Sequence, residues 1–170
     1  MPIEIHSAAE ADLYEQRVLA AANTVVEQLR QAPGAGIDVL RRIKFEECGR
    51  HPLDDRPLNL IEQVNQTFTY LASLQATKQL ILLHPNAGGF RLNLGPEAGS
   101  DVEDPPGLLV AAEVFAAVDP QNNRKLAKDL SKVSGTAAQH KYVFFLCPAF
   151  APGRRSQMDR DGVQVWALSM

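Results

Sequence analysis

The stretch LLVAAEVFAAV, residues 108–118, constrains the fold of this chain most, because a single glutamate, Glu113, interrupts an almost continuous apolar run. Such a run is typical of a central strand that is covered on both faces of a sheet. Side chains alternate along a strand, so Glu113 shares one face with Ala111 and Phe115. A charged carboxylate that is buried without a partner costs several kcal/mol. The sequence therefore predicts that Glu113 has a charged partner, a bound metal ion or an edge position.

Helices are predicted before this strand. Apolar residues recur with helical spacing from Ala8 to Gln31, and a shorter helix is predicted over about residues 37–47. A loop is predicted at CGRHPLDDRP, and a long helix begins after it, near Leu58. Apolar residues recur in this long helix at spacings of three and four, as in a helix with one buried side. The predicted buried stripe consists of Ile61, Val64, Phe68, Leu71 and Leu74.

Strands and one more helix are predicted after the long helix. Strand patterns occur at QLILLHP, GFRLNLG, residues 108–118, KYVFFLCP and VQVWAL, although QLILLHP also fits the last turn of the preceding helix. GSDVED is a short segment between two of these strands, and APGRRSQMDRDG is typical of a polar loop. Asp119 can cap a helix that Gly135 can close. This order predicts one α/β domain over residues 1–170, with a helical extension over 1–57 and a core over 58–170.

Composition and charge narrow the classes of function. No apolar run approaches the ~20 residues of a membrane helix, and the acidic N-terminal segment lacks a signal-peptide pattern, so a cytoplasmic protein is expected. Cys48 and Cys147 lie far apart and give no zinc-binding signature. Residues 1–120 hold 9 Lys and Arg against 17 Asp and Glu, whereas residues 121–160 hold 8 against 2. The basic section is expected to attract a phosphate backbone such as that of DNA or RNA.

A second carboxylate, Asp101, lies in the short GSDVED segment shortly before the apolar run. If its strand neighbours that of Glu113, the two carboxylates repel each other and the pKa of one rises. A divalent cation between them removes that conflict. A hard cation held by few protein ligands, with open coordination positions, suits phosphodiester hydrolysis.

The order of helix, short strand with aspartate, strand with glutamate, helix and strand resembles the core of the PD-(D/E)XK nuclease superfamily, the restriction endonuclease-like fold, from about Leu58 to Leu168. GSDVED is similar to the motif of the metal-binding aspartate, and AAEVF to that of the metal-binding glutamate. The resemblance implies a mixed central sheet flanked by helices. It also implies that Asp101 and Glu113 bind Mg²⁺ or Mn²⁺, with Glu62 as an accessory metal-binding glutamate.

The motif lysine of this superfamily is replaced here by Phe115. Some members carry that lysine on the next helix, which makes Lys125 and Lys128 the candidates for a catalytic lysine. These two residues share a helix face with Lys132. The resemblance implies a Mg²⁺-dependent nuclease, or a nuclease-like protein that binds nucleic acid, and a homodimer is expected because superfamily members are often dimers.

Two alternatives remain open from the residues alone. One is a catalytically silent member of the same fold, which acts as a binding or interaction protein; Phe115 favours it. The other is an unrelated small α/β protein with a structural or regulatory role. In that protein Glu113 would form a buried ion pair with an arginine such as Arg91.

Overall fold

The structure is a computed structural model that describes residues 2–31, 34, 36–95, 99–105 and 108–169. In chain order its helices and strands are β1 (Pro2–Ile5), α1 (Ala8–Gln31), α2 (Ile37–Phe45), β2 (Gly49–Arg50), β3 (Pro57–Leu58), α3 (Leu60–Leu83), β4 (Phe90–Asn93), β5 (Val102–Glu103), β6 (Val110–Ala116), α4 (Lys125–Ser134), β7 (His140–Leu146), β8 (Gly153–Arg154) and β9 (Val163–Leu168). Across these ranges, no helix contains an apolar stretch long enough to cross a membrane.

The described residues form two compact units. One unit contains the residues up to Ala11 together with those from Ala72 onward, and the other comprises Asp12–Leu71. The boundaries therefore fall inside α1 and α3, whereas the sequence suggested a division after residue 57.

The sheet-containing unit confirms the predicted α/β class. Within the described residues, a seven-stranded sheet has the order β1-β4-β5-β6-β7-β9-β8. The neighbours β6, β7 and β9 are parallel, and all the other pairs are antiparallel. Strands are present at four of the five predicted positions, and the short GSDVED segment contributes a further strand, β5. The sheet is thus mixed, with its parallel part formed by the three most apolar strands, as expected for strands covered on both faces.

Three parts of this unit differ from the prediction. QLILLHP is not a strand, because α3 continues to Leu83. β1 lies in the acidic N-terminal segment, where no strand was predicted, and it pairs with β4 far along the chain. β8 lies in the predicted polar loop and pairs two of its residues with β9. Both strands are short. Ile3 and Ile5 of β1 alternate with Glu4 but span too few residues to define a strand alone, and β8 has only two residues. Their conformation therefore depends on the strand beside them.

Helix α4 packs on the sheet face that carries Glu113. Leu130 and Val133 of α4 belong to one core cluster with Phe115 of β6 and Phe145 of β7. Because side chains alternate along β6, this contact directs Glu113 toward the same helix. The core therefore surrounds the one carboxylate of β6 with apolar residues.

The start of α4 departs from the predicted capping. Asp119 Oδ1 accepts a hydrogen bond from the backbone N–H of Gln121, so Asp119 caps a short turn and not the helix itself. Asn123 and Arg124 then adopt left-handed backbone conformations, with φ of 54° and 57°, and α4 begins at Lys125. Such conformations are uncommon for residues other than glycine. They delay the helix by several residues and place Lys125 in its first turn.

The unit Asp12–Leu71 contains α2, most of α1 and the first half of α3. The stretch predicted as a loop pairs its ends as the two-residue antiparallel ladder of β2 and β3. Gln63 of α3 is 1% exposed and ties these elements together. Its Oε1 accepts a hydrogen bond from the backbone N–H of Arg50 at 2.6 Å, and its Nε2 donates one to the carbonyl of Ala21 at 3.2 Å.

The buried side of α3 differs from the predicted stripe. Leu74 is buried as expected, but Ile61, Val64 and Phe68 are 47%, 41% and 39% exposed. Polar residues are buried in their place, including Gln63 and Thr67, whose hydroxyl donates a hydrogen bond to the carbonyl of Gln63 at 2.8 Å. Burial of a polar side chain is tolerated when its hydrogen bonds are satisfied. Apolar spacing alone therefore selected the wrong side of this part of the helix.

Candidate functional site

The register of the sheet brings Asp101 and Glu113 together. Val102 of β5 pairs with Ala112 of β6 in an antiparallel ladder, so Asp101 lies across from Glu113 one residue further along. Oδ2 of Asp101 accepts a hydrogen bond from the backbone N–H of Val114 at 2.8 Å. This bond fixes the Asp101 carboxylate beside the central strand.

The Glu113 side chain is almost completely buried, with 2% exposure. Its Oε2 accepts a hydrogen bond from the ammonium group of Lys132 at 2.8 Å. Its Oε1 is buried and has no hydrogen-bond partner among the described residues. Burial and the nearby charge of Asp101 raise the pKa of Glu113 to about 7, although Lys132 opposes that rise. A buried oxygen without a partner costs free energy and requires an explanation, such as a bound ion or a proton.

Helix α4 adds a third carboxylate and a second ammonium group. Asp129 is 3% exposed, and its Oδ1 accepts a hydrogen bond from Nζ of Lys125 at 2.7 Å. Its Oδ2 is buried without a partner among the described residues, and burial raises the pKa of the Asp129 carboxyl despite the charge of Lys125. Burial alone would lower the pKa of Lys132, but the hydrogen bond and charge of Glu113 outweigh it and raise that pKa. When all five groups are ionised, the three carboxylates exceed the two ammonium groups by one negative charge.

Phe115 belongs to the core. It is 4% exposed, and its ring stacks on that of Phe145 with 6.1 Å between the ring centroids. Nζ of Lys125 lies 5.6 Å from the centroid of the Phe115 ring, within the range of a cation–π contact. An ammonium group from α4 thus lies over the ring of Phe115.

Two predicted site residues lie outside this cluster of contacts. Lys128 is on the exposed side of α4, and its side chain has no hydrogen bond or ion pair within the described chain. Glu62 lies in the first turn of α3, in the unit Asp12–Leu71, with an exposed side chain. Its backbone N–H donates a hydrogen bond to Oδ1 of Asn59 at 2.9 Å. The roles suggested for Lys128 and Glu62 stay predictions.

Two residues that the sequence did not single out as site residues contact the predicted ones. The partner of Glu113 is Lys132, whereas Arg91 pairs with Glu103 at 3.7 Å. Asp129 is the buried partner of Lys125. The spacing of four residues between Lys125 and Asp129 on a helix was a usable signal, because side chains at this spacing are neighbours.

Few side chains in this group of carboxylates and lysines could act as ligands of a metal ion. Among the described residues, no three His, Cys, Asp or Glu side chains are grouped so that they could hold a metal ion. Asp101 and Glu113 form a pair of carboxylates, and Mg²⁺ is commonly held by only one or two carboxylates together with water and substrate phosphates. The unpartnered Oε1 of Glu113 and the excess negative charge fit such a cation.

Comparison of the chain with protein-family models, with curated proteins and with solved structures gave no match.

Proposed function

We propose that this protein is a metal-dependent phosphodiesterase of the nuclease type, with a restriction endonuclease-like core, that acts on DNA or RNA. The observation that carries the proposal is the pair of Asp101 and Glu113, in which one buried oxygen of Glu113 has no hydrogen-bond partner among the residues that the structure describes. The succession of α3, β4, β5, β6, α4 and β7 supports it, because it follows the order of elements in the superfamily that the sequence resembles.

Asp101 and Glu113 would hold the ion, Mg²⁺ or Mn²⁺. Such an ion polarises a phosphoryl oxygen and lowers the pKa of a coordinated water. In the hydrolysis, a water oxygen would add to phosphorus while the bond from phosphorus to one ester oxygen breaks; the attacking water would lose a proton to solvent, and the leaving oxygen would take one up from solvent. The hydrogen bond from the backbone N–H of Val114 orients the Asp101 carboxylate. The hydrogen bond from the ammonium group of Lys132 holds a positive charge next to the Glu113 carboxylate. Ammonium groups near the site also offset the charge of the substrate phosphate.

A second candidate is a silent member of the same fold that binds nucleic acid or a protein without cleaving a substrate. Two observations favour it. Phe115 is part of the core and cannot supply a charge, and the half-exposed Lys132 already forms an ion pair with the buried carboxylate of Glu113. In that case the carboxylates and lysines would hold α4 against the sheet and bind no metal.

Calorimetric titration of Mg²⁺ and Mn²⁺ tests the proposal, together with cleavage of labelled single-stranded DNA, double-stranded DNA and RNA. The variants are Glu113→Gln and Asp101→Asn, which keep the shape of each side chain. Asp38→Asn, at an exposed position of α2, is the matched control. We expect each site variant to weaken metal binding at least about tenfold, since loss of even an outer-shell partner commonly costs that much.

The outcomes separate the two candidates. Metal binding and cleavage that both disappear in Glu113→Gln, but persist in Asp38→Asn, support the phosphodiesterase. Metal binding without cleavage of any of the three substrates favours the silent member. A wild-type protein that binds neither ion refutes the proposed metal site.

A further inference from the structure

Helix α4 carries three lysines, and their surroundings differ. Nζ of Lys132 lies 2.8 Å from Oε2 of Glu113, the buried carboxylate of the central strand. Nζ of Lys125 lies 2.7 Å from Oδ1 of Asp129, on its own helix. Lys128 is exposed and makes no ion pair within the described residues. Only Lys132, among these three, contacts a carboxylate of the proposed metal-binding pair.

The charged groups alternate in sign from the helix toward the sheet. Lys125 pairs with Asp129 one helical turn further on, and Lys132 lies one turn beyond Asp129 on the same side. Lys132 then contacts Glu113, which lies across from Asp101. The alternation ends at the two carboxylates, where the proposed metal ion would supply the next positive charge. The ammonium group of Lys125 pairs with Asp129, and the ammonium group that contacts Glu113 is that of Lys132.

Lys132 also connects the buried carboxylate with the surface. Its side chain is 52% exposed, whereas that of Glu113 is 2% exposed. An ammonium group has three N–H donors, and the hydrogen bond to Glu113 uses one of them. The other donors can reach a substrate on the solvent side. Lys132 contacts Oε2 of Glu113, whereas Oε1 has no hydrogen-bond partner in the described part of the chain. Oε1 can therefore bind a metal ion while Oε2 keeps its hydrogen bond to Lys132.

We infer that Lys132 is the catalytic lysine of this site and contacts a non-bridging oxygen of the substrate phosphate. The inference rests on the proposed phosphodiesterase function. The side chain of Phe115 in β6 is packed in the core and carries no charge. Lys132 of α4 would therefore supply the positive charge that a lysine at position 115 would otherwise provide. The sequence had favoured Lys125 and Lys128 for this role.

The test compares three single substitutions, Lys132→Met, Lys125→Met and Lys128→Met, in the full chain. Lys44→Met, at an exposed position of α2, is the matched control. Single-turnover cleavage of a labelled oligonucleotide is measured at saturating Mn²⁺, and Mn²⁺ affinity is measured separately by electron paramagnetic resonance. Lys132→Arg is included because it keeps the ion pair with Glu113 and so protects the fold if Lys132→Met is unstable.

We expect Lys132→Met to slow cleavage by about 10²–10³-fold, the usual effect of removing one donor to the developing charge. The affinity for Mn²⁺ should stay the same or increase, since a competing cation has been removed from Glu113. A purely structural role for Lys132 would instead weaken metal binding along with cleavage. Lys132→Arg should restore part of the rate, and Lys44→Met should cleave at the wild-type rate.

Two results overturn the inference while leaving the proposed function intact. One is a wild-type rate in Lys132→Met, and the other is a larger loss in Lys125→Met or Lys128→Met than in Lys132→Met. A wild-type protein that binds Mn²⁺ but cleaves nothing refutes the catalytic role of Lys132 together with the proposed phosphodiesterase.

Discussion

The stability of the sheet-containing unit should depend on pH through Glu113. Burial raises the pKa of this carboxyl to about 7 from an ordinary value of 4.5. The unfolded chain therefore releases the proton first as pH rises, and the folded protein retains it to higher pH. The contribution of Glu113 to stability is greatest below pH 4.5 and is lost as pH rises to about 7, a change of about 3 kcal/mol at roughly 1.4 kcal/mol per pKa unit.

Glu113→Gln isolates this contribution, because glutamine keeps the shape of the side chain and does not titrate. Urea unfolding at pH values from 4.5 to 8 can be followed through the fluorescence of Trp166, the single tryptophan, which lies in β9. Relative to wild type, the variant should gain about 3 kcal/mol of unfolding free energy between pH 4.5 and 8. The exposed Glu47→Gln is the matched control for the loss of one carboxylate.

The opposite trend would refute this reasoning. If wild type gains stability over Glu113→Gln as pH rises, the ion pair with Lys132 outweighs burial and the pKa of Glu113 lies below its ordinary value. A difference that does not change with pH would mean that folding leaves this pKa unaltered. Either result would show that burial of Oε1 of Glu113 does not lower the free energy of unfolding in the way described above.

Three further substitutions test the packing. Phe115→Ala should cost about 3–5 kcal/mol in urea unfolding, because its buried ring is lost from the core. Gly49→Ala should lower the unfolding temperature, since its new Cβ would lie 2.5 Å from Oε1 of Gln63; an unchanged temperature would show that Gln63 moves at no cost. Tyr142→Phe removes the hydroxyl that lies 2.8 Å from Nε2 of His84 and should cost about 1 kcal/mol in chemical denaturation. A fully stable Tyr142→Phe would indicate that His84 finds another partner.

The sequence predicted the central strands well, because burial on both faces leaves a continuous apolar run. It could not predict β1, whose conformation depends on a partner strand far along the chain. It also misjudged the first half of α3, where Gln63 and Thr67 are buried because their hydrogen bonds are satisfied. Hydrophobic periodicity contains no information on such bonds.

For the candidate site, the sequence indicated the carboxylates Asp101 and Glu113 but not Lys132, the lysine that contacts Glu113. The carboxylate of Glu113 inside an apolar strand indicated a partner, and the resemblance of GSDVED to the nuclease motif indicated Asp101. The antiparallel register of β5 and β6 then places the two residues side by side. The choice among Lys125, Lys128 and Lys132 depends on where α4 begins and how it is rotated against the sheet. Asp129 was overlooked because a charged helix residue is ordinarily solvated, and only the packing of α4 shows that it is buried.

The pairing of β1 with β4 has a consequence for how the sheet is completed during synthesis. Ile3 pairs with Leu92, so β1 is made about ninety residues before its partner. At roughly 5–20 residues per second, its apolar residues Ile3 and Ile5 stay unpaired for several seconds or longer. Closing so long a loop costs more entropy than pairing β4 with β5, which follows it closely in the chain, so β1 should join β4 after β5 does. Until then β4 presents an open edge, which is the part of the nascent protein most prone to pair with another chain.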